Sequence, residues 1–146
     1  MYNFGLMRTA MIAVALVAMA ATAQAKNLCL NVGSDRLVLS KIKIPKKPGD
    51  ATTLQGSFII NVATPTAPIY FARPVSGVVT RGTSSGLSVV VNVHGNHTGN
   101  EGFSMAWAAD DEFLGTAQFD GDNDGSKDDG SAAVTALDCD SITSFP

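Results

Sequence analysis

Five aspartates fall within ten residues in the run Phe119-Asp120-Gly121-Asp122-Asn123-Asp124-Gly125-Ser126-Lys127-Asp128-Asp129. Carboxylates so close repel one another unless water solvates them fully or a shared cation gathers them. Asp120, Asp122, Asp124, Gly125 and Asp128 satisfy D-x-D-x-D-G-x-x-D. That spacing suits a hard divalent ion, because alternate residues of a tightly curled loop turn their oxygens inward while the glycine permits the bend. A helical EF-hand would place a bidentate glutamate at loop position 12, where Ser131 stands, and both flanks here read as strands rather than helices.

The nine-residue stretch resembles the calcium-binding hairpin loop of integrin-type propellers and bacterial FG-GAP repeats, which share Asp at loop positions 1, 3, 5 and 9 and Gly at 6. The resemblance implies side-chain ligands from Asp120, Asp122, Asp124 and Asp128, a backbone carbonyl from Ser126, and Ca2+ as a structural cofactor that pins the last hairpin. Asn123 and Asp129 are not ligands in that pattern, although Asp129 adds negative field. A propeller repeats its loop in several blades and this chain carries one, so neither its fold nor its partners are transferred. A solvated acidic turn without an ion is the alternative.

Other constellations are weaker. His94, His97 and Glu101 share a glycine-rich loop and are ligand types for zinc or copper, but no helix presents them, and a solvated polar loop explains them better. Asn96-His97-Thr98 is a formal glycosylation acceptor. Lys41, Lys43, Lys46 and Lys47, with Arg36, form a basic cluster that either meets an anionic surface or protects an edge strand. Asp110, Asp111 and Glu112 are consecutive acids that point in different directions, which disfavours the converging carboxyl pair of a glycosidase. No nucleophile motif, phosphate-cradling loop or Cys/His pairing is present, so the chain reads as non-enzymatic, a two-carboxylate hydrolase being the least remote exception.

The elements that must position these groups are strands. Alternation at period two recurs between turn signals, and helical periodicity is nearly absent after residue 25. Leu28, Leu30 and Val32 share one strand face. Arg36 to Ile44 reads as a second strand with apolar residues on both faces and hence an ambiguous register. Leu54, Gly56, Phe58, Ile60 and Val62 form a long apolar face, and Thr64 to Pro74, with three prolines, reads as the longest irregular connection. Leu87, Val89, Val91 and Val93 give the cleanest strand signal. Phe103, Met105 and Trp107 mark the next strand, Phe113, Gly115, Ala117 and Phe119 another, and Ala132 to Cys139 the last. The expectation is an all-β fold, a small antiparallel up-and-down barrel of about eight strands, with a two-sheet β-sandwich as the alternative. Phe58, Phe103, Met105, Trp107, Phe113 and Phe119 either fill the barrel or line a pocket for one small apolar ligand.

Arg8, the apolar run Thr9 to Ala21 and Ala23-Gln24-Ala25 form a secretory signal peptide, residues 1–25, expected to be cleaved and leaving one β-domain, 26–146. The two cysteines, Cys29 and Cys139, then read as a disulfide joining first and last strands. Charge is divided: Lys26 to Arg81 holds eight basic and two acidic residues, net +6, whereas Gly82 to Pro146 holds one lysine and eleven acids, net −10. The surface is bipolar if the halves stay apart, and averages out if their strands interleave. The functional expectation is a secreted or periplasmic bacterial binding or surface-interaction module, whose partner is a protein, a glycan or a small apolar ligand. Nucleic acid and a membrane span after signal cleavage are excluded. The alternatives are a carrier with a ligand inside the barrel and a structural subunit of a surface assembly or fibre.

Overall fold

The structure, a computed structural model, describes residues 26–63, 66, 68–95 and 102–142. Eight strands follow in order: β1 (Leu28–Val32), β2 (Asp35–Leu39), β3 (Ala51–Ala63), β4 (Pro68–Arg81), β5 (Leu87–Val93), β6 (Phe103–Ala109), β7 (Gly115–Asp120) and β8 (Ser131–Leu137). Each pairs antiparallel with the next, and β1 pairs with β8, so the sheet closes into an up-and-down barrel in chain order. Closure gives the first and last strands neighbours on both sides, which a sandwich would not. Cys29 on β1 and Cys139, in a single 3-10 turn after β8, form a disulfide with Cα atoms 5.2 Å apart across that seam.

Alternation decides what lies inside. In β5, Leu87, Val89, Val91 and Val93 are buried while Ser88, Val90 and Asn92 are exposed. The inward residues join Leu30, Val32, Leu37, Leu39, Phe58, Met105, Trp107, Phe113 and Val134 in one core cluster. The barrel is thus apolar within, the inverse of the polar lumen of membrane-spanning barrels. No helix among the described residues is long and apolar enough to cross a membrane. Gly56 and Gly77 occupy inward positions of β3 and β4. A Cβ at Gly56 would run into the Val38 carbonyl oxygen and one at Gly77 into that of Val90, so these glycines allow neighbouring strands to approach and coil tightly.

Two sequence expectations are corrected. Thr64 to Pro74 is not a long irregular connection: β4 begins at Pro68, and β3 and β4 pair continuously from Ala51↔Thr80 to Ala63↔Pro68. Proline is tolerated because the Pro74 carbonyl accepts the His94 N–H on the side facing β5. By the period of two, Pro68 also turns its nitrogen away from β3, so neither missing N–H interrupts the β3–β4 ladder. The second strand does not run from Arg36 to Ile44. It ends at Leu39, just before Lys41 with its left-handed φ of 50°, and the register left open by its two apolar faces resolves with Leu37 and Leu39 inward. Leu37 and Leu39 win the register because they pair with Leu30 and Leu28 of β1, whose Leu30 is wholly buried.

The β3–β4 hairpin is longer than its neighbours. β2 follows β3 only to Ile59 and β5 follows β4 only to Val75, so Ile60–Ala63 and Pro68–Pro74 continue past the barrel as a two-stranded ribbon. On it the inward parity persists with no described strand paired beyond it, leaving Val62, Ile69 and Phe71 exposed. Its other face is polar: Arg36 stacks over the Tyr70 ring at 5.4 Å, and Asp35 accepts the Asn61 N–H.

Candidate metal centre

The acidic loop, residues 121–130, joins β7 to β8 at one end of the barrel, and the β2–β3 and β6–β7 connections lie at the other. Its neck is closed by the Phe119 N–H donating to the Gly130 carbonyl and the Asp129 N–H donating to the Phe119 carbonyl. That register sets Asp120 and Asp129 against each other across the hairpin. Gly125 adopts φ of 94°, the left-handed bend expected of it, and Asn123 follows at 60° while its side-chain amide donates to the Gly102 carbonyl, tying the loop to the start of β6.

Oxygens of Asp120, Asp122 and Asp129 lie within 4.8 Å of one another. Asp120 is the anchor. It ends β7 and, although acidic, is only 3 % exposed. Its Oδ2 accepts from the Gly125 N–H and from the Lys127 ammonium at 3.2 Å, while its Oδ1 is buried with no hydrogen-bond partner among the described residues. Lys127 also donates to Ser104 Oγ at 2.9 Å, so the chain brings one cation of its own to the cluster. Burial raises the Asp120 carboxyl, but Lys127 and the N–H groups of Gly125 and Asn123 outweigh it and hold the group below its ordinary range. Asp122 moves the other way. The Asp124 N–H favours its charged form, yet desolvation and the neighbouring charges of Asp124, Asp129 and Asp120 together push it up. Asp122 thus resists ionisation beside three other carboxylates, a local crowding of negative charge.

Asp129 is the member that sequence reasoning set aside. Its Oδ2 accepts the N–H groups of Gly121 and Asp122, fixing the loop's first turn. The signal that would have found it is the hairpin register, which no motif spacing encodes. Asp124 and Asp128 are not in the cluster: Asp124 accepts the Ser126 N–H and Asp128 the Ser126 hydroxyl, both local turn contacts.

The remaining candidates have other employments. Asp110 accepts the N–H groups of Glu112 and Leu114, shaping the β6–β7 turn, and Asp111 pairs with Arg81. His94 bonds through Nε2 to Ser76, and its proposed partners His97 and Glu101, like Asn96, lie outside the described residues. Phe58, Met105, Trp107 and Phe113 are at most 4 % exposed and sit in the packed core, with Phe103 and Phe119 partly buried against it. Phe58 and Phe103 meet edge to face, and the Trp107 indole N–H donates to the Phe113 carbonyl, so these rings pack within and against the core cluster.

No family model, characterised protein or solved structure is significantly similar to this chain. The functional reading therefore rests on its own residues.

Proposed function

We propose that this is an exported, calcium-stabilised β-barrel that acts through its outer surface as a binding or interaction module. The observation that carries the metal is Asp120, a buried carboxylate with one unpartnered oxygen in a cluster with Asp122 and Asp129. The donor set is all oxygen, which suits a hard cation, and a loop rich in backbone carbonyls suits calcium better than the octahedral demands of magnesium. Asp120, Asp122 and Asp129 would hold the ion as the loop stands. The set implied by the propeller-like motif needs Asp124 and Asp128 to move an oxygen into the cluster, which they do not join as the loop stands. The ion's contribution would be structural, pinning β7 to β8 beside the disulfide-linked seam. Export is supported by the signal-like residues 1–25 and by the Cys29–Cys139 bond, which persists in oxidising compartments. The inward aromatic residues pack within and against one core cluster, which supports a surface role over a carrier role.

Calcium titration of the protein by isothermal calorimetry, with thermal unfolding in chelator and in 10 mM calcium, tests this reading. Binding with Kd of order 10⁻⁴ to 10⁻³ M and a raised midpoint are expected. An unchanged midpoint with no heat of binding would remove the metal from the proposal.

A second reading, subunit of a surface assembly, is supported by the β3–β4 ribbon, whose Val62, Ile69 and Phe71 project apolar surface past the barrel. Concentration-dependent mass in light scattering, lost on Phe71→Ser, would favour it.

A further inference from the structure

Outside the acidic cluster, the most organised charged surface is at the opposite end of the barrel. The connection from β2 to β3, residues 40–50, is long and irregular yet firmly tied down. The Ser40 N–H donates to the Gln55 carbonyl, that of Ile42 to the Lys26 carbonyl, and that of Gly49 to the Arg81 carbonyl, while Thr52 Oγ1 donates to the Lys43 carbonyl. Arg81 Nε reaches the carbonyl of Pro45, itself buried, and its guanidinium is completed by Asp111. A loop of this length held so closely is more often a binding element than a linker.

This loop borders a half-open hollow of about 1010 Å3 lined by Lys26, Lys41, Lys43, Lys46 and Lys47, with Ile42, Ile44 and Pro45 among its apolar residues and Asp50 its acid. Five ammonium groups against one carboxylate leave the hollow at +4. All five lysines are exposed, and none forms an ion pair among the described residues. The protective role open to them in the sequence does not apply, because the barrel is closed and residues 40–50 are not strand. Arg36 is not a member: it stacks on Tyr70, beyond the far end of β2.

We infer that this hollow binds a polyanionic polysaccharide. The inference rests on the surface-module reading and gives that module a partner, but it does not depend on the metal. Lysines are flexible, strongly hydrated point charges suited to anionic groups repeated along a chain, whereas nucleic-acid grooves add arginines and aromatic platforms for base stacking. The hollow has no aromatic lining, and its neighbouring arginine is consumed structurally. The apolar residues among the lysines offer a surface for the C–H faces of sugar rings. The acidic loop at the other end keeps a bound polyanion from spreading over the whole barrel.

Dextran sulfate, uncharged dextran and poly(dT) serve as probes for the full chain, in chelator and again in calcium. Dextran sulfate is expected to bind at 50 mM NaCl, dextran not at all, and log K to fall linearly with log salt. Lys43→Gln/Lys46→Gln/Lys47→Gln is expected to weaken binding at least tenfold with an unchanged thermal midpoint, and Arg73→Gln, on the far ribbon, to leave it unchanged. Should the triple variant unfold, single Lys43→Gln and Lys46→Gln variants should each flatten the salt slope by about one unit. Absence of binding, equal binding by the lysine variants, or poly(dT) binding as tightly as dextran sulfate would overturn the inference. Loss of the calcium response alone would leave it standing.

Discussion

Lys127 is the most informative residue to change, because its ammonium lies 3.2 Å from Asp120 Oδ2, on the same carboxylate whose unpartnered Oδ1 a divalent ion would claim. In the metal-free protein it is the cluster's own counter-charge, and in the metal-bound protein it is a competitor. Lys127→Gln therefore has opposite effects in the two states. Without calcium the cluster loses its cation and the midpoint falls. With calcium the ion no longer shares the Asp120 carboxylate with a neighbouring ammonium that repels it, and affinity tightens on the order of tenfold, the scale of a hydrogen bond to a charged group. Taking Kd as about 1 mM for the parent and about 0.1 mM for the variant, 10 mM calcium stabilises them by about 1.4 and about 2.7 kcal/mol. At roughly 4 °C per kcal/mol for a chain of this size, the midpoint rises by about 6 °C in the parent and about 11 °C in the variant. Differential scanning fluorimetry in matched chelator and calcium buffers reads both. A calcium-induced rise in Lys127→Gln no larger than the parent's would refute the shared-site reasoning.

Asp129→Asn should weaken calcium binding more than Asp128→Asn in calorimetry, since only Asp129 belongs to the cluster; the reverse order would restore the motif-derived ligand set. In calcium-free protein the two shifted carboxyls act in opposite directions. Asp122, raised in the fold, penalises folding at neutral pH, and that penalty is relieved as pH falls through its raised value. Asp120, lowered in the fold, contributes stability present above its unfolded value near 3.8 and lost as pH falls through its lower folded value. Urea midpoints from pH 7 to 3 should thus rise slightly before they fall, and calcium should erase the rise. Replacing both Cys29 and Cys139 by alanine releases a separation of 110 residues and should cost at most about 4.7 kcal/mol in urea unfolding, by the loop-entropy argument. Trp107→Phe leaves the Phe113 carbonyl without its indole donor and should cost about 1–3 kcal/mol, seen as an earlier urea midpoint with the strand signature in circular dichroism retained.

The legible part of the fold came from alternation. Leu87 to Val93 could only be a strand with one apolar face, and Phe103 to Trp107 likewise, because a period of two is a local property of the chain. The pair of cysteines anticipated the seam between β1 and β8, since chain ends that share a bond must meet. Proline misled at Thr64 to Pro74, where the sequence carries no mark of which side of a strand its missing N–H will face. At Arg36 to Ile44, both faces were apolar, and only pairing with Leu28 and Leu30 selected Leu37 and Leu39.

The same division holds for the functional surfaces. Five aspartates and a glycine announced a cation-attracting hairpin, because charge density and the need for a left-handed bend are written residue by residue. Which carboxylates converge was settled by the register at the hairpin neck, which set Asp129 against Asp120 and folded Lys127 back onto it. The basic cluster was equally visible as composition, yet whether its lysines guard an edge or surround a hollow depended on closure of the barrel. Local chemistry lies in the order of residues along the chain; the distances that turn it into a site arise only when strands remote in sequence become neighbours.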